Sequence, residues 1–527
     1  MSPARSEFSA ALLARARERP DALAFACGAE RLTNGRLLFE AAGLAAGLAA
    51  RGLTLRDRVA LVLPAGLDFV RGFAAVCLSG AVPFAISPAL SPAVAMSRAA
   101  RGRPRLVLAP AAVRDELART GDGRLEVVAI EALARPAASP PAPPGVEPED
   151  PAILQLTSGT TGEPRFAVLS HRALAAWRRQ ASGPLLPTPD DVLAGWVPPW
   201  HVMGLMRFVW LPVVCGGEVH LVAPSVRTLG SWMETAARVR ATFTAASDFA
   251  LRMAVRIVGR QVLDLRSLRW VATGGEPVRA TTIRDFEARF DLPGIVRPAY
   301  GLAEATLAVT GVRPGEPLAV DAAGHVSCGR PLPGTELRIV DEHGAGSPPG
   351  QLGEIHIRTA ALFSGYFDEA SGDSRWPGGG WLATGDWGHL GPDGELYVLG
   401  RRRTLLKHGG ATFAPRELEE AAERCAGISA AAAITLARPG SDEGVLAIVA
   451  EVTSLESREP QERARELALA VRGEIGILPG EVILLRPGTL PRTESGKLRH
   501  AELARRIAAA ELDPGSVLAG RRDGWVL

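Results

Sequence analysis

The sequence predicts an α/β fold followed by a small α+β unit at the C-terminal end. Through residues 1–130, and again up to about residue 320, helix candidates alternate with short apolar strand candidates. This alternation is typical of a parallel sheet covered by helices on both faces. Between residues 334 and 400, short apolar runs are separated by Gly, Pro and Asp, which predicts an antiparallel sheet.

The individual elements follow from apolar periodicity and from Gly and Pro at their ends. Strand candidates lie at 58–63, 83–86, 218–222, 269–272, 336–340, 354–357, 395–399, 446–451 and 482–485. Helix candidates lie at 69–77, 415–425 and 460–474. Residues 135–151 are rich in proline, which lacks a backbone donor, so they predict a surface connection. This connection is either a domain boundary or a long loop within one domain.

Length and composition restrict the class of protein. A chain of 527 residues predicts at least two domains, and a hydrophobic share of 47% excludes global disorder. Lys plus Arg number 59 and Asp plus Glu number 57, a balance that argues against a nucleic-acid partner attracted by bulk charge. These numbers fit an enzyme that holds a small charged substrate in a local site.

Cysteine use and the N-terminus predict a cytoplasmic protein. The five cysteines are scattered without CxxC spacing, which favours reduced thiols over a disulfide or zinc framework. Arginines interrupt the first 20 residues at helical spacing, so they predict a surface helix and not a signal peptide. No uncharged apolar run reaches the ~18 residues of a membrane helix, so we expect no membrane insertion.

The segment TSGTTG at Thr157–Gly162 carries the most chemistry. Glycines permit a close backbone approach to a ligand, and successive amides with hydroxyl side chains form an anion-binding nest. The segment therefore predicts a phosphate cradle for a nucleotide, although a Ser/Thr/Gly surface loop would be the better reading of so short a motif alone. No GK[ST] follows, so it is not a Walker loop.

Seven segments together resemble the adenylate-forming superfamily of acyl- and aryl-CoA synthetases, luciferases and nonribosomal adenylation domains. They occur in that superfamily's order: TSGTTGEPRFAVLSH (157–171), WHVMG (200–204), GGEPV (274–278), YGLAEAT (300–306), TGDWG (384–388), GRRRTLLKHGG (400–410) and PRTESGKLRH (491–500). Within it, LQLTSGTTG, GGEPVRA, YGLAEATLAV and VSCGRPLPG resemble fatty acyl-AMP ligases most closely.

The resemblance implies a particular domain organisation. Residues 1–401 would form a large domain of two mixed sheets packed with helices plus a small antiparallel, barrel-like sheet, and would hold ATP and the acyl pocket. Residues 402–527 would form a small mobile α+β domain that carries Lys497. Arg403 occupies the hinge position between them.

The resemblance also implies an activity. ATP would activate a fatty or other carboxylic acid to an acyl-adenylate with release of pyrophosphate, and the phosphopantetheine thiol of an acyl carrier protein would capture the acyl group. Residues 307–326 lack the insertion that fatty acyl-AMP ligases carry there, which favours CoA as the alternative acceptor. Arg165 stands where the superfamily usually has a lysine, and Phe166 stands where it has a glycine, although phenylalanine cannot easily adopt a positive φ. These departures favour a third alternative, a weakly active or non-catalytic adenylate-binding protein.

The resemblance places ATP and Mg²⁺ on a defined set of side chains. Lys497 would bridge the substrate carboxylate and the α-phosphate, and Glu304 and Thr161 would hold Mg²⁺, a hard cation that prefers oxygen ligands. Asp386 would bind the ribose hydroxyls and Arg401 the ribose or a phosphate. The remaining nucleotide contacts would come from Thr157, Ser158, Gly159, Thr160, Gly162, Arg165, Gly274, Gly275, Glu276, Tyr300 and Gly301.

The acid itself would bind beside His201, which the resemblance places in the catalytic set together with Lys497 and Glu304. Val202 stands where amino-acid-activating relatives carry an aspartate, and an unpaired α-ammonium in an apolar site would cost several kcal/mol. An amino acid is therefore not the expected substrate. The acyl pocket would be lined by Trp200, His201, Val202, Gly204 and Leu205, which could equally be core residues.

Overall fold

The computed structural model describes residues 4–121, 123–135, 142, 144–157, 165–181, 185–313, 315–367, 379–402, 406–408, 411–438, 441–453, 459–493, 496 and 498–520. The chain divides into two compact units. The first unit comprises Met1–Gln351, Ile355–Thr384 and His389–Tyr397, and the second unit comprises Leu352–Glu354, Gly385–Gly388 and Val398–Leu527. The expected boundary at residues 401/402 and the mobility of the C-terminal domain stay predictions.

The largest sheet of the first unit has nine strands. Its six central strands are parallel, and the strands at both edges are antiparallel to their neighbours. In spatial order they are Arg330–Pro331, Ala308–Gly311, Val296–Gly301, Trp270–Gly274, Phe243–Ala246, Val192–Gly195, Glu218–Leu221, Leu23–Cys27 and Glu30–Thr33. The sheet is therefore mixed, and it confirms the α/β prediction.

A second sheet of the first unit is wholly parallel. Its strands in spatial order are Val82–Ala85, Arg58–Leu61, Leu106–Ala109 and Glu126–Ala129. An antiparallel strand pair, Pro151–Thr157 with Arg165–Ser170, packs against it through a shared hydrophobic cluster that includes Phe84, Leu154 and Phe166. A further two-residue pair joins Ala4–Arg5 to Gly145–Val146.

Helices cover both sheets of the first unit. They begin at capping residues where the sequence supplies them, as at Ser247, whose hydroxyl accepts the Ala250 N–H at 3.3 Å. The α-helices are Glu7–Glu18, Asn34–Ala49, Leu67–Leu78, Pro92–Arg101, Ala111–Thr120, His171–Gln180, Val202–Leu205, Leu211–Cys215, Leu229–Arg238, Asp248–Val258 and Ala280–Phe290. Short 3₁₀ turns lie at Ile130–Leu133, Val226–Thr228 and Ala303–Ala305, and a π-helical turn at Met206–Trp210.

The core of the nine-stranded sheet is built around tryptophans. Trp196 and Trp232 stack with their ring centroids 5.9 Å apart, and both are buried. The Trp232 indole N–H donates to the Thr244 hydroxyl at 3.0 Å, so the polar end of this ring is satisfied inside the core. Among the described residues no helix combines the length and apolar character needed to cross a bilayer.

A smaller sheet follows the nine-stranded one in the chain. Its four strands pair in sequence order: Thr335–Val340, Gly353–Thr359, Leu382–Leu390 and Leu396–Arg401. Three of these strands match the candidates at 336–340, 354–357 and 395–399, whereas Leu382–Leu390 was not among the strand candidates.

The short stretch 307–326 ends in a compact hairpin closed by one carboxylate. Asp321 Oδ1 accepts the N–H groups of Ala323 and His325 at 2.9 and 2.8 Å, and Asp321 Oδ2 accepts His325 Nδ1–H at 2.8 Å and His389 Nε2–H at 3.0 Å. Burial opposes the charged carboxylate, but the hydrogen bonds from both imidazoles outweigh it and lower the pKa of Asp321. Three such side chains could also ligate a metal, yet hydrogen bonding alone accounts for their arrangement.

The second unit is an α+β sandwich. Its sheet has the strand order Ile428–Arg438, Ser441–Val452, Glu481–Leu485 and Val517–Ala519, and its helices are Pro415–Glu423, Pro460–Ile475 and His500–Ala508. In the first strand, Ala431 and Ala433 enter one hydrophobic cluster while Ala430, Ala432 and Ile434 enter the other. Both faces are therefore buried, as the period of two along a strand requires. A hairpin pairs Leu406–His408 with Ala411–Phe413.

Two buried glutamates hold the two ends of the segment 490–500. Glu451 Oε1 accepts the Leu490 N–H at 2.8 Å, just before this segment turns. At its other end, Glu419 Oε1 accepts His500 Nε2–H at 2.5 Å and also the Ala433 N–H at 3.1 Å. The described residues of this segment are thus fixed at both ends to the sheet and to the helix Pro415–Glu423.

We predict that Gly329→Ala destabilises the protein far more than Gly324→Ala. Both glycines have positive φ values, 76° and 90°, where an alanine costs ~1–2 kcal/mol. A Cβ at Gly329 would also lie 2.0 Å from the Gly311 carbonyl carbon, whereas one at Gly324 meets nothing within 4 Å. We expect a loss of about 3 kcal/mol or more for Gly329→Ala, measured by thermal unfolding. Equal losses would contradict the close packing at this sheet edge.

We also predict a pH-dependent stability contribution from His500. Burial opposes the imidazolium, but Glu419 outweighs it and raises the pKa of His500 above 6.5; burial likewise opposes the Glu419 carboxylate, yet His500 lowers its pKa below 4.5. The histidine's contribution is complete below pH 6.5 and is lost as pH rises through its raised pKa, and the glutamate's is complete above pH 4.5.

His500→Gln should therefore lower the unfolding temperature most between pH 4.5 and pH 6.5. The difference in unfolding temperature from the wild type should shrink at alkaline pH. Arg416 and Arg492, which also face His500, are unchanged in this variant. His343→Gln, at an exposed position, is the matched control and should show no such profile. A His500→Gln deficit that is constant with pH would exclude a charged pair.

Candidate active site

Thr157 and Arg165 flank the TSGTTG segment and are cross-strand partners. Thr157 ends one strand, Arg165 begins the next, and the Thr157 hydroxyl donates to the Arg165 carbonyl at 3.2 Å. Five of the predicted phosphate-binding residues, Ser158, Gly159, Thr160, Thr161 and Gly162, lie outside the described residues. Their nucleotide contacts, and the Mg²⁺ contact expected of Thr161, stay predictions.

Phe166 does not impose the backbone strain that its type suggested. It pairs with Leu156 in an extended strand and is absent from the described non-glycine residues with positive φ. Its ring is buried and meets the edge of Phe84 at a centroid distance of 4.9 Å. The backbone at Phe166 thus does not need the positive φ that phenylalanine rarely adopts, and its side chain packs in the core of the parallel sheet.

Glu304 lies in a tight turn between two strands of the nine-stranded sheet. The turn is closed by backbone hydrogen bonds from Ala305 N to Leu302 O at 3.0 Å and from Thr306 N to Ala303 O at 3.0 Å. Thr306 has a φ of 71°, an uncommon conformation for a β-branched residue and one that clusters at functional sites. Glu304 is 6% exposed, and its Oε1 accepts the Tyr366 hydroxyl at 2.5 Å.

The predicted adenine-binding residues lie on neighbouring strands. Gly274 ends one strand and pairs with Ala299, which precedes Tyr300 on the next. Glu276 Oε1 accepts the Phe249 N–H at 3.1 Å and so caps the helix Asp248–Val258. Gly275, between them, has a φ of 80°. The fold thus brings the GGEP segment and Tyr300 together, and gives Glu276 a structural contact of its own.

Gly301 is restricted to glycine by the turn that follows it. A Cβ at this position would lie 1.8 Å from the Leu307 carbonyl oxygen, which accepts the Leu302 N–H at 2.9 Å. Gly301 therefore lets the chain reverse immediately before Glu304. Its predicted role as a nucleotide contact stays a prediction.

The predicted acyl-binding residues occupy a loop and the short helix Val202–Leu205. Trp200 and Leu205 are buried, as is Gly204, whereas His201 and Val202 are half-buried. Gln155, on the strand that ends at Thr157, donates from Nε2 to the Trp200 carbonyl at 3.0 Å. This hydrogen bond connects the strand before the TSGTTG segment to the loop before His201.

A buried arginine follows that helix in the π-helical turn. Arg207 donates to the Leu185 carbonyl at 2.6 Å and faces the rings of Trp177 and Phe243, 5.8 and 5.6 Å from their centroids. Burial lowers the pKa of Arg207 to about 10. Single π-helical turns of this kind are often found near functional sites.

Asp386 and Arg401 belong to the second unit and form an ion pair there. Arg401 Nε lies 2.7 Å from Asp386 Oδ1, and Asp386 is buried. Glu354 Oε1 accepts the Gly385 N–H at 3.0 Å and supports the same segment. Their predicted ribose and phosphate contacts stay predictions, as do the roles of Lys497 and Arg403, which lie outside the described residues.

Tyr366 and Gln155 were not predicted from the sequence. Tyr366 contacts Glu304 and, through its ring, Arg165; Gln155 contacts Trp200. Tyrosine is rare in this chain, with three in 527 residues. That rarity is the one signal that could have drawn attention to Tyr366, because neither contact has a local sequence pattern.

Comparison with known proteins identifies the family. The AMP-binding enzyme family model matches residues 12–367. A 4-hydroxyphenylalkanoate adenylyltransferase of Mycobacterium tuberculosis is 30% identical, with 84% of this chain and 81% of the relative covered. The long-chain-fatty-acid–AMP ligase FadD26 of the same species is 29% identical, with 85% and 87% covered.

A solved structure described as a fatty acyl-adenylate ligase, from work on the E. coli and L. pneumophila enzymes, superposes with a TM-score of 0.84. It is 26% identical and covers 97% of this chain and 98% of its own. The sequence resemblance and the predicted fold class are thus confirmed. The chain belongs to the AMP-binding enzyme family.

Proposed function

We propose that this enzyme uses ATP to convert an apolar carboxylic acid into an acyl-adenylate and then passes the acyl group to a thiol. The observation that carries the proposal is the arrangement around Glu304. A buried carboxylate, a guanidinium at Arg165 and the strand pair that flanks TSGTTG are joined through one tyrosine. Such a set can bind a polyphosphate with its cation, and the family match supports this use.

The chain's own residues would act by position and charge. The amides and hydroxyls of Thr157–Gly162 would orient the phosphates, and Arg165 would offset their charge. Carboxylate and threonine hydroxyl oxygens are ligand types that suit Mg²⁺, so Glu304 and Thr161 would hold it, and the ion would neutralise charge on the phosphates. Tyr300 and the Gly274–Glu276 segment would border the adenine, and Asp386 would accept hydrogen bonds from the ribose.

Lys497 would bring the two anions together. The substrate carboxylate attacks the α-phosphorus, a P–O bond forms, and the bond to the pyrophosphate leaving group breaks. A cation between the reactants reduces their repulsion as charge develops. The chain has only two lysines, Lys407 and Lys497, among 59 basic residues. Almost every basic residue of this chain is therefore an arginine, but the position proposed for this step holds a lysine. This exception supports a chemical role for Lys497.

The substrate would be an acid with an apolar chain. Val202 offers no carboxylate for an α-ammonium. Beside the helix Val202–Leu205, apolar residues that include Val197, Gly204 and Phe208 line a small crevice. The relatives named as fatty-acyl ligases support a fatty acid in particular.

A carrier-protein thiol is the proposed acceptor, in keeping with the FadD26 relative. Free CoA is the second candidate. Residues 307–326 are short, end in a compact hairpin at Asp321–His325 and lack the insertion that fatty acyl-AMP ligases carry there. The reaction is proposed to take place in the cytoplasm.

We predict acid-dependent exchange of pyrophosphate into ATP by the wild-type protein with medium- or long-chain fatty acids. Lys497→Ala should slow this exchange by about a hundredfold or more, because it removes a cation from the transition state. Lys497→Arg keeps the charge but changes its shape and should recover only part of the rate. Thioester formation from a pre-made acyl-adenylate should survive in Lys497→Ala.

Two outcomes would contradict this function. If the wild-type protein binds ATP but exchanges no pyrophosphate with any acid of a broad panel, it is an adenylate-binding protein and not a ligase. If Lys497→Ala exchanges at the wild-type rate, the lysine has no part in adenylation.

The acceptor is decided by supplying CoA or a phosphopantetheinylated carrier protein to the wild-type enzyme with acid and ATP. We expect mass spectrometry to find the acyl group on the carrier protein and little acyl-CoA. Acyl-CoA formed at an equal or higher rate would establish the CoA ligase instead.

A further inference from the structure

We propose that Tyr366 is a positioning residue that holds Glu304 and Arg165 in place for MgATP. This inference rests on the proposed function, since it concerns the same site. Tyr366 stands 201 positions after Arg165 and is joined to both residues by direct contacts.

The hydroxyl of Tyr366 sets the orientation of the carboxylate. It donates to Glu304 Oε1 at 2.5 Å, and the two residues are only 8% and 6% exposed. A hydrogen bond from a neutral donor to a buried carboxylate is worth more than one between neutral groups. Because the donor is neutral, it fixes one oxygen without cancelling the charge that a cation would need.

The ring of Tyr366 supports the guanidinium. The Arg165 Cζ atom lies 3.9 Å from the ring centroid, within the range of a cation–π contact. Phe363 also packs against this tyrosine in an edge-to-face arrangement, with a centroid distance of 5.0 Å and an interplanar angle of 72°. The ring therefore has packed neighbours and can hold a planar guanidinium over it. A lysine at position 165 would gain less from such a planar surface.

The backbone around Tyr366 is tied to both sides of the site. Phe367 N donates to Phe166 O at 2.8 Å, and Ser364 N donates to Val168 O at 2.9 Å, so the segment runs beside the strand that begins at Arg165. Phe363 N donates to the Glu304 carbonyl at 2.8 Å.

Thr306, at the strained end of the Glu304 turn, is held by the same segment. Its hydroxyl donates to the Ala361 carbonyl at 2.8 Å, and the residue is fully buried. The segment 361–367 therefore supports Glu304 in three ways. It contacts the Glu304 side chain, the Glu304 backbone carbonyl and Thr306 in the same turn.

The hydroxyl and the ring are separable by substitution. Tyr366→Phe removes the donor to Glu304 but keeps the platform under Arg165, whereas Tyr366→Leu removes both. Tyr397→Phe is the matched control, because Tyr397 is a buried tyrosine that stacks on His389 and contacts no predicted site residue among those described.

Isothermal titration calorimetry with ATP, in the presence of Mg²⁺ or of EDTA, tests the assignment. Tyr366→Phe should weaken ATP binding by roughly tenfold with Mg²⁺, the value expected for losing a hydrogen bond to a charged group, and should change little in EDTA. Tyr366→Leu should weaken binding under both conditions, since Arg165 then lacks its support. Tyr397→Phe should match the wild type in both, and thermal unfolding verifies that each variant is folded.

The outcomes are separable from those of the proposed function. Tyr366→Phe that binds ATP like the wild type with Mg²⁺, or that loses affinity equally in EDTA, would overturn the positioning role while leaving the exchange reaction intact. If Tyr366→Leu does not fold, the Tyr366→Phe comparison still decides. A third outcome separates the two proposals. If Tyr366→Phe binds ATP more weakly than the wild type only with Mg²⁺, yet the wild type exchanges no pyrophosphate, the positioning role is supported and the ligase is rejected.

Discussion

A hydrogen bond between two buried side chains, from the Tyr366 hydroxyl to Glu304, holds the candidate site together. The carboxylate lies in a turn that also contains Thr306, whose φ is positive. A buried carboxylate in such a strained turn keeps one orientation only if neighbouring groups fix it. The segment 361–367 does so by binding the turn on one side and the strand after TSGTTG on the other. The strand that begins at Arg165 and the carboxylate proposed to bind the cation are thereby joined through one segment.

The same arrangement accounts for two departures from the common phosphate-loop pattern. Phe166 is accommodated because its position is extended and faces the core beside Phe84. Arg165 is accommodated because Tyr366 offers a flat ring to its guanidinium. Both departures can therefore coexist with nucleotide binding, and neither one by itself argues for a protein without activity.

Much of the fold follows from local pattern, and much of the site does not. Apolar runs bounded by Gly and Pro located strands such as Arg58–Leu61 and helices such as Pro460–Ile475 to within two residues. Motifs located Glu304 and Tyr300. Tyr366 could not be assigned in this way, because Glu304, which accepts its hydrogen bond, is 62 residues away in the chain. Likewise the pairing of Arg401 with Asp386 is tertiary, although each residue was identified separately.

The central claim, that ATP binds beside Glu304 with its phosphates between Thr157 and Arg165, is tested most directly by a crystal structure of the protein with Mg²⁺ and ATP. We expect electron density for the triphosphate along residues 157–165, with a cation bound to the carboxylate of Glu304 and the Tyr366 hydroxyl still in contact with that carboxylate. A nucleotide bound elsewhere, or a Glu304 side chain that points away from the phosphates, would exclude this mode of ATP binding.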